Sequence, residues 1–339
     1  MIRSRIGNGI ESLLDKGRLR RASGLPTQVH LSVIDRCFLP CTHCDIWKNT
    51  DKELPTKFWI DAIDRLGRWC APAGMNFVGG EPLMRTDLES LIRHAGQWGF
   101  ETSFNTNAWL VTPSRAESIA DSKVGLVYIS LDGFSENTVD VSRGKDGSFE
   151  KALEAVELLQ SNGVKVAIAS VLHAQNQHEA PLLIEWVQSK GMTVIFQPLY
   201  QNFGNVEYNP DWWRKSEYFP KTEETSSAMA KRLDWLTNAT MHSASILNSP
   251  TQFQAMKQYF TSPDSDAGVS CRAGHTDISI DPQGRVRLCY FLDPVGDLHS
   301  DRPLSEIWNQ YTTMQRRWQV SRCSRSCSLL NCNFEVQPS

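Results

Sequence analysis

The sequence lacks the marks of several protein classes. It has no apolar run of about 18 residues, so we expect no membrane-spanning helix. The first ten residues contain no continuous apolar region of the kind found in signal peptides, and we expect a cytoplasmic protein. A formal net charge of −3 offers no basic excess for binding nucleic acid. No internal repeat or low-complexity tract stands out along the chain.

Cysteines are the residues that the sequence does have in excess. Nine cysteines without an export signal favour metal ligation in a reducing compartment over disulfides. Cys37, Cys41 and Cys44 follow a C-x3-C-x2-C spacing. Three thiolates bind one face of a soft metal centre, such as an iron–sulfur cluster, and leave one position open for chemistry. The alternative is a structural zinc ion with His43 or Asp45 as its fourth ligand.

Strand-like and helix-like segments alternate through the first two thirds of the chain. The predicted strands are residues 29–35, 74–79, 101–105, 125–131, 164–171 and 192–198. Amphipathic helical runs separate them, which predicts a parallel α/β sheet with right-handed crossovers. Six units, rather than eight, predict a partial barrel that is open along one side. The cysteine loop then follows the first strand, at the end where such folds place reactive groups.

The sequence divides into four predicted segments. These are a basic helical segment at 1–26, the barrel at 27–200, a helical connector at 201–270 and a cysteine-bearing module at 271–339. For the first segment we expect a short helix packed under the barrel, with weak contact to a membrane surface as the alternative. The connector contains predicted helices near 222–238 and 249–260, which we expect to cover the barrel opening.

The C-terminal module contains a second set of cysteines, namely Cys271, Cys289, Cys323, Cys327 and Cys332. A Pro-Gln-Gly turn ending at Gly284 predicts a β-hairpin, and a helix is predicted from Leu304 to Val320. Such a small module buries little apolar surface, so we expect its fold to need a bound metal for stability. A zinc ribbon is one alternative. A single cluster needs four thiolates, and the sequence does not tell which of the last three cysteines is spare. Cys70 stands apart and is interpreted as a buried apolar residue.

The cysteine loop and the run Gly79-Gly80-Glu81-Pro82 after the second strand resemble the radical S-adenosylmethionine (radical SAM) superfamily. The resemblance implies a partial (β/α)6 TIM-like barrel. It also implies a 4Fe–4S cluster held by the three N-terminal cysteines, with SAM on the open iron. The tail, with its small β-hairpin and helix, resembles the twitch or SPASM extensions of that family. It therefore implies an auxiliary 4Fe–4S cluster.

The resemblance and the strand-end positions also imply cofactor-binding residues. The candidates are His43, Gly79, Gly80, Glu81, Asn107, Ser130, Arg143 and Gln197. Glu81 and the glycines before it are expected to hold the amino group of SAM, and Ser130 and Arg143 its ribose and carboxylate. Gln197 is expected to reach the adenine or the substrate, or else to cap the sheet. Asn107 and Asn176 are weaker candidates, because Asn at strand ends is common turn chemistry.

By this resemblance we expect an enzyme that cleaves SAM reductively to a 5′-deoxyadenosyl radical and removes hydrogen from a substrate. A flavodoxin- or ferredoxin-type protein would donate the electron. Because no N-terminal peptide-recognition domain is evident, we expect a small metabolite, such as a sugar or nucleotide-linked intermediate. The alternatives are a peptide- or protein-modifying maturase and a non-catalytic metal-stapled binding protein. The sequence does not name the substrate, the net reaction, the fate of SAM or the oligomeric state.

Overall fold

A computed structural model describes residues 24–202, 204, 207–266 and 268–334. The predicted basic helical segment at 1–26 therefore lies almost entirely outside the described residues. Within the described part, no helix combines the length and apolarity needed to cross a bilayer.

Six parallel strands form the main sheet and confirm the predicted alternation. They are β1 Gln28–Ile34, β2 Gly74–Gly79, β3 Glu101–Thr106, β4 Leu126–Ser130, β5 Val166–Leu172 and β6 Thr193–Pro198. Each strand pairs with the next in chain order, in parallel register. Their carboxyl ends therefore meet at one edge, and that edge places the loops that bear the predicted site residues. The sheet does not close on itself, as expected for a partial barrel.

Helices cover the outer face of these strands. They are α1 Thr56–Cys70, α2 Leu88–Gln97, α3 Pro113–Asp121, α4 Glu136–Arg143, α5 Ser148–Ser161 and α6 Ala180–Ser189. In α1, Trp59, Ile63, Leu66 and Cys70 recur at helical spacing and are fully buried against the sheet. Cys70 is thus a core residue, as predicted.

The C-terminal module extends the barrel sheet instead of standing apart from it. Its strands are β7 Asp277–Ile280, β8 Arg285–Arg287 and β9 Gly296–Asp297, and they complete a nine-stranded sheet. Strand β7 runs parallel to β1, and the β1 start is also held by a 2.7 Å hydrogen bond from the Thr27 amide to the Thr276 carbonyl. The predicted hairpin is confirmed as β7 and β8, with Gly284 at φ 80° in its turn.

The connector carries three helices, α7 Trp212–Lys215, α8 Glu223–His242 and α9 Pro250–Thr261. The last two lie where the sequence predicted them. Asn248 pairs with the Phe196 backbone of β6, at 2.7 Å to its amide and 2.8 Å to its carbonyl. Gln252 donates to the Leu329 carbonyl of the tail at 3.2 Å. The connector therefore joins the free edge of β6 to the C-terminal module.

The prediction of one helix from Leu304 to Val320 is wrong in one respect. The segment forms two helices, α10 Leu304–Asn309 and α11 Tyr311–Ser321. Gln310 separates them with an extended backbone at ψ 161°. Its side-chain amide donates to the Val295 carbonyl at 2.5 Å, so a tertiary contact holds the residue out of the helical conformation.

Candidate active site and auxiliary cysteine site

The three N-terminal cysteines lie on the loop that follows β1, above the carboxyl ends of the strands. The end of α4 supports this loop: the Thr42 amide donates to the Ser142 carbonyl at 3.0 Å. Gly144, which ends α4 at φ 67°, lies so close that an added Cβ would be 2.4 Å from the Pro40 carbonyl oxygen. The loop position is therefore fixed by backbone packing against a neighbouring unit of the barrel.

Gly79 and Gly80 bring the end of β2 against the same loop. An added Cβ at Gly79 would lie 2.0 Å from the Ile34 carbonyl oxygen, and one at Gly80 would lie 2.0 Å from that of Arg36. The Gly80 amide donates to the Ile34 carbonyl at 2.9 Å. From the sequence we predicted that these glycines let the backbone approach a ligand closely. In the structure they permit close approach of the chain's own backbone, while still lining the central cavity.

The three thiols share one partly buried environment. Burial raises the pKa of Cys37 and Cys41, and raises the pKa of Cys44 to about 12. The side-chain Nδ2 of Asn107 lies 3.7 Å from the Cys37 sulfur. Such thiols remain protonated until a cationic centre binds and ionises them, which suits ligation of iron. Across the described residues, no three Cys, His, Asp or Glu side chains converge tightly enough to hold a single metal ion.

Asp132 is the residue around which this site is organised, and the sequence reasoning missed it. Its Oδ2 lies 2.7 Å from Nη2 of Arg143 and accepts from Ser142 Oγ at 3.0 Å. Burial alone would raise the pKa of Asp132, but the charge of Arg143 holds it below its usual range. The signal was the Ser-Leu-Asp-Gly run, in which Asp132 comes two positions after the last residue of strand β4.

Two histidines lie near Asp132. His43 Nε2 is 4.0 Å from Asp132 Oδ2, and burial lowers the pKa of His43 to about 4, so the ring is neutral. Burial lowers the pKa of His173 in the same way, also to about 4. Asn176 braces the backbone here, accepting from the His173 amide at 2.8 Å and donating to the Val171 carbonyl at 2.7 Å. Asn176 is therefore structural, and it does not line the cavity.

Glu81 is buried, with 1% of its surface exposed. It accepts hydrogen bonds from Leu83 N at 3.0 Å, Thr106 Oγ1 at 2.8 Å and Asn107 N at 2.7 Å. These bonds tie the end of β2 to the end of β3. A carboxylate offers about four acceptor positions, so one remains for a ligand. Burial raises the pKa of Glu81 to about 7.

A cavity of about 1050 Å³ opens above these residues. All of the predicted N-terminal ligands and cofactor-binding residues line it: Cys37, Cys41, His43, Cys44, Gly79, Gly80, Glu81, Asn107, Ser130, Arg143 and Gln197. Ligand pockets usually have volumes of about 300–1000 Å³, so this one has room for a nucleoside cofactor together with part of a substrate. Arg143 Nε and His43 Nδ1 are buried without a partner in the described structure, which leaves polar atoms for a cofactor to satisfy.

The five tail cysteines separate into four and one. Burial, and then the neighbouring Cys289 and Cys323, raise the pKa of Cys271 to about 11. Burial raises the pKa of Cys327, and the neighbouring thiols of Cys289, Cys271 and Cys323 raise it further. Burial and then Asp277 raise the pKa of Cys332 to about 12, Cys271 raises it as well, and Cys332 alone of the five lines the cavity. The other four thiols influence one another and form one group, and Cys332 borders both Cys271 of that group and the cavity.

The C-terminal module forms one wall of the cavity with residues that the sequence reasoning missed. The Nε atoms of Arg285 and Arg287 each lie 2.7 Å from Asp281 Oδ2. The Arg325 guanidinium lies 4.1 Å from the ring centre of Tyr208. The alternation Arg285-Val286-Arg287 in β8 could have located the first pair, since residues two apart share one face of a strand.

Comparison with known proteins agrees with this arrangement. The sequence profile of the radical SAM superfamily matches residues 31–187, and that of the SPASM iron–sulfur cluster-binding domain matches residues 271–333. PqqA peptide cyclase from Bradyrhizobium diazoefficiens is 32% identical over 165 residues, which are 48% of this chain and 43% of the relative. Mycofactocin maturase MftC from Mycolicibacterium smegmatis is 28% identical over 300 residues, 86% of this chain and 72% of the relative. The match thus spans less than half of the cyclase.

Solved structures with the same fold include two that hold S-adenosylmethionine. SuiB from Streptococcus suis with bound S-adenosylmethionine gives a TM-score of 0.67 at 16% identity, covering 91% of this chain and 73% of SuiB. The anSMEcpe structure with bound AdoMet gives 0.66 at 17% identity, covering 91% and 89%. The cofactors of the two matched families are a 4Fe–4S cluster with SAM and auxiliary iron–sulfur clusters. The chain therefore carries a radical SAM domain at residues 31–187 and a C-terminal SPASM iron–sulfur cluster-binding domain at residues 271–333.

Proposed function

We propose that this protein modifies a peptide by radical SAM chemistry. The names of its relatives favour this alternative over the small metabolite that the sequence led us to expect. PqqA peptide cyclase acts, by its name, on a peptide, and one SuiB structure holds the precursor peptide SuiA. Both are proteins to which this chain is similar, so the substrate class is carried over as a proposal.

The cavity between the barrel and the C-terminal module carries the proposal. Its lining is rich in side-chain amides: Gln28, Asn76, Asn105, Asn107, Gln197, Gln201, Asn202, Gln283 and Asn331. An amide both donates and accepts hydrogen bonds, which matches the alternating N–H and C=O groups of a peptide backbone. Charged side chains of both signs line it as well: Arg143, Arg272, Arg285, Arg287 and Arg325 face the carboxylates of Asp35, Glu81, Glu207 and Asp281. Amides together with charges of both signs suit a peptide backbone that carries polar side chains.

The cofactor residues fit this role. Cys37, Cys41 and Cys44 would hold the cluster, and Glu81 and Arg143 would take the amino and carboxylate groups of SAM. When bound, the cluster and SAM supply a carbon radical that removes a hydrogen atom from the substrate. The chain's own residues orient the reactants, and the buried walls exclude water from the reacting atoms.

The neutral state of His43 also fits. Burial lowers its pKa to about 4, so at neutral pH the ring would add no positive charge to a site that would bind the cationic SAM. A neutral ring lining the cavity could stack on the adenine of SAM. Arg143, held by Asp132 at 2.7 Å, keeps one buried nitrogen available for a ligand oxygen.

The test uses anaerobically reconstituted protein with SAM, dithionite and short peptides encoded beside the gene. We expect 5′-deoxyadenosine to form in step with a mass change in one peptide. A matched reaction with the Cys37→Ala variant should give neither product, because the loop then cannot hold the cluster. The proposal is wrong if SAM is cleaved but no peptide changes, while a tetrapyrrole is converted. Relatives of this chain include an Fe-coproporphyrin III synthase and a pre-heme d1 synthase, which makes a tetrapyrrole the appropriate comparison.

A further inference from the structure

Helix α11 presents an unpartnered apolar stripe to solvent. Tyr311, Met314 and Trp318 are 69%, 51% and 58% exposed. Their spacing of three and four residues puts them on one face of the helix, while Thr313 and Val320 are buried on the other. Contiguous exposed apolar side chains of this kind mark interaction surfaces.

Arginines predominate around this stripe, although one of them, Arg316, is paired with Asp293 at 2.7 Å. From Ile307 to Phe334 the sequence has four arginines and no aspartate or glutamate, in a chain whose net charge is −3. Arg322 stacks on Trp318 at 4.4 Å from its ring centre. No carboxylate of the described residues lies within ion-pair distance of Arg322. The surface therefore joins apolar side chains to an uncompensated positive charge.

This surface adjoins the group of four tail cysteines. Cys323 follows α11 after a single residue and is exposed, whereas Cys327 is buried. A cluster held by these cysteines would therefore have its Cys323 edge at the surface that α11 flanks. The other four tail cysteines are buried or partly buried.

We propose that Tyr311, Met314, Trp318 and Arg322 form a docking surface for a small acidic electron-transfer protein. In the complex the reduced cofactor of that partner would give one electron to a cluster held by the tail cysteines, which would pass it on to the cluster held by Cys37, Cys41 and Cys44. The partner would be oxidised by one electron, and no covalent bond would form or break in the transfer. Transient redox complexes have small interfaces steered by complementary charge, which this surface supplies. A second copy of this basic surface, or the segment 1–23 with its six basic and two acidic residues, would meet like charge. The proposal goes beyond the peptide function and needs only the two clusters.

Binding of an acidic flavodoxin to the reconstituted holoenzyme tests the surface directly. In the double variant Trp318→Ala/Arg322→Gln we expect the Kd to rise about tenfold or more, as for loss of a central aromatic and its charge. Salt should weaken binding by the wild type more than by the variant. A matched control exists on α8, where Trp235 is 41% exposed and lies under Arg232 at 5.4 Å. Trp235→Ala/Arg232→Gln should leave the Kd unchanged.

Two further measurements separate docking from folding and from the proposed function. The double variant should keep the wild-type iron content and the rate of dithionite-driven SAM cleavage, while flavodoxin-driven cleavage slows. A wild-type protein that does not bind flavodoxin, or equal Kd values in wild type and variant, overturns the proposal. If the two Kd values are equal, and the wild type is a dimer whereas the variant is a monomer, the stripe mediates self-association instead. If flavodoxin binds as expected but no peptide is modified, the docking surface is supported and the proposed peptide-modifying function is rejected.

Discussion

At the scale of single residues, Cys289 and Cys332 have different surroundings and should respond differently to mutation. Cys289 belongs to the group of four tail thiols, whereas Cys332 lies toward Asp277 and the cavity. We expect Cys332→Ala to keep the wild-type iron content, about eight irons for two 4Fe–4S clusters, and Cys289→Ala to fall to about four. Iron and sulfide assays after anaerobic reconstitution measure this. An equal loss from both variants would make Cys332 a ligand.

Glu81 gives a pH prediction. Its pKa is raised by burial from 4.5 to about 7, so the folded state holds the proton more tightly than the unfolded state does. Stability linked to this group is fully present below about pH 4.5 and is lost as pH rises through about 7, by roughly 3 kcal/mol. Urea unfolding of wild type and Glu81→Gln between about pH 5.5 and 7.5 measures the effect. The stability of wild type relative to the variant should fall across that window. A constant difference would show that the carboxyl is ionised throughout.

At the scale of elements, the end of β2 and the cysteine loop depend on each other. A Cβ at Gly80 would lie 2.0 Å from the Arg36 carbonyl oxygen, so Gly80→Ala must push the loop away. We expect it to lose the N-terminal cluster, about four irons, and to destabilise the fold by about 2 kcal/mol or more. Iron content and urea unfolding measure both effects.

The control for this variant is Gly96→Ala in α2. A Cβ there meets no atom within 4 Å, so the substitution should add helix propensity, stabilise by up to about 1 kcal/mol and keep all of the iron. If Gly80→Ala retained its iron as the control does, the loop would be able to shift without losing its ligand geometry.

The positions of the helices and strands show how much of the fold could be predicted from the sequence. The six barrel strands and helices α8 and α9 follow from local periodicity, and the structure has them within a few residues of the predicted positions. The break at Gln310 depends on a contact with Val295, fifteen residues away in sequence, and no local pattern encodes it. The same holds for Asp132 and Arg143: their spacing was visible, but the 2.7 Å ion pair arises only when α4 packs beside β4.

At the scale of the whole molecule, pairing between β1 and β7 makes the barrel and the C-terminal module one sheet. The sequence predicted both parts but not their junction, because residues about 250 positions apart pair there. The register joins Gln28 to Asp277 and Leu31 to Ile280. The His30 ring nitrogen lies 3.2 Å from the Asp277 carboxylate, which is buried beneath the cavity. The junction therefore sets the distance between the two cysteine sites.

This continuity predicts that the chain unfolds as one unit. Cys289→Ala removes a ligand from the module, and the lost cluster binding is lost folding free energy. Because β7 pairs with β1, the effect should reach the barrel and lower the midpoint of a single thermal transition, by about 2–4 °C per kcal/mol lost for a domain of this size. Far-ultraviolet circular dichroism and tryptophan fluorescence measure the transition anaerobically. Two transitions, with the upper one at the wild-type temperature, would mean that the barrel folds independently of the module despite the shared sheet.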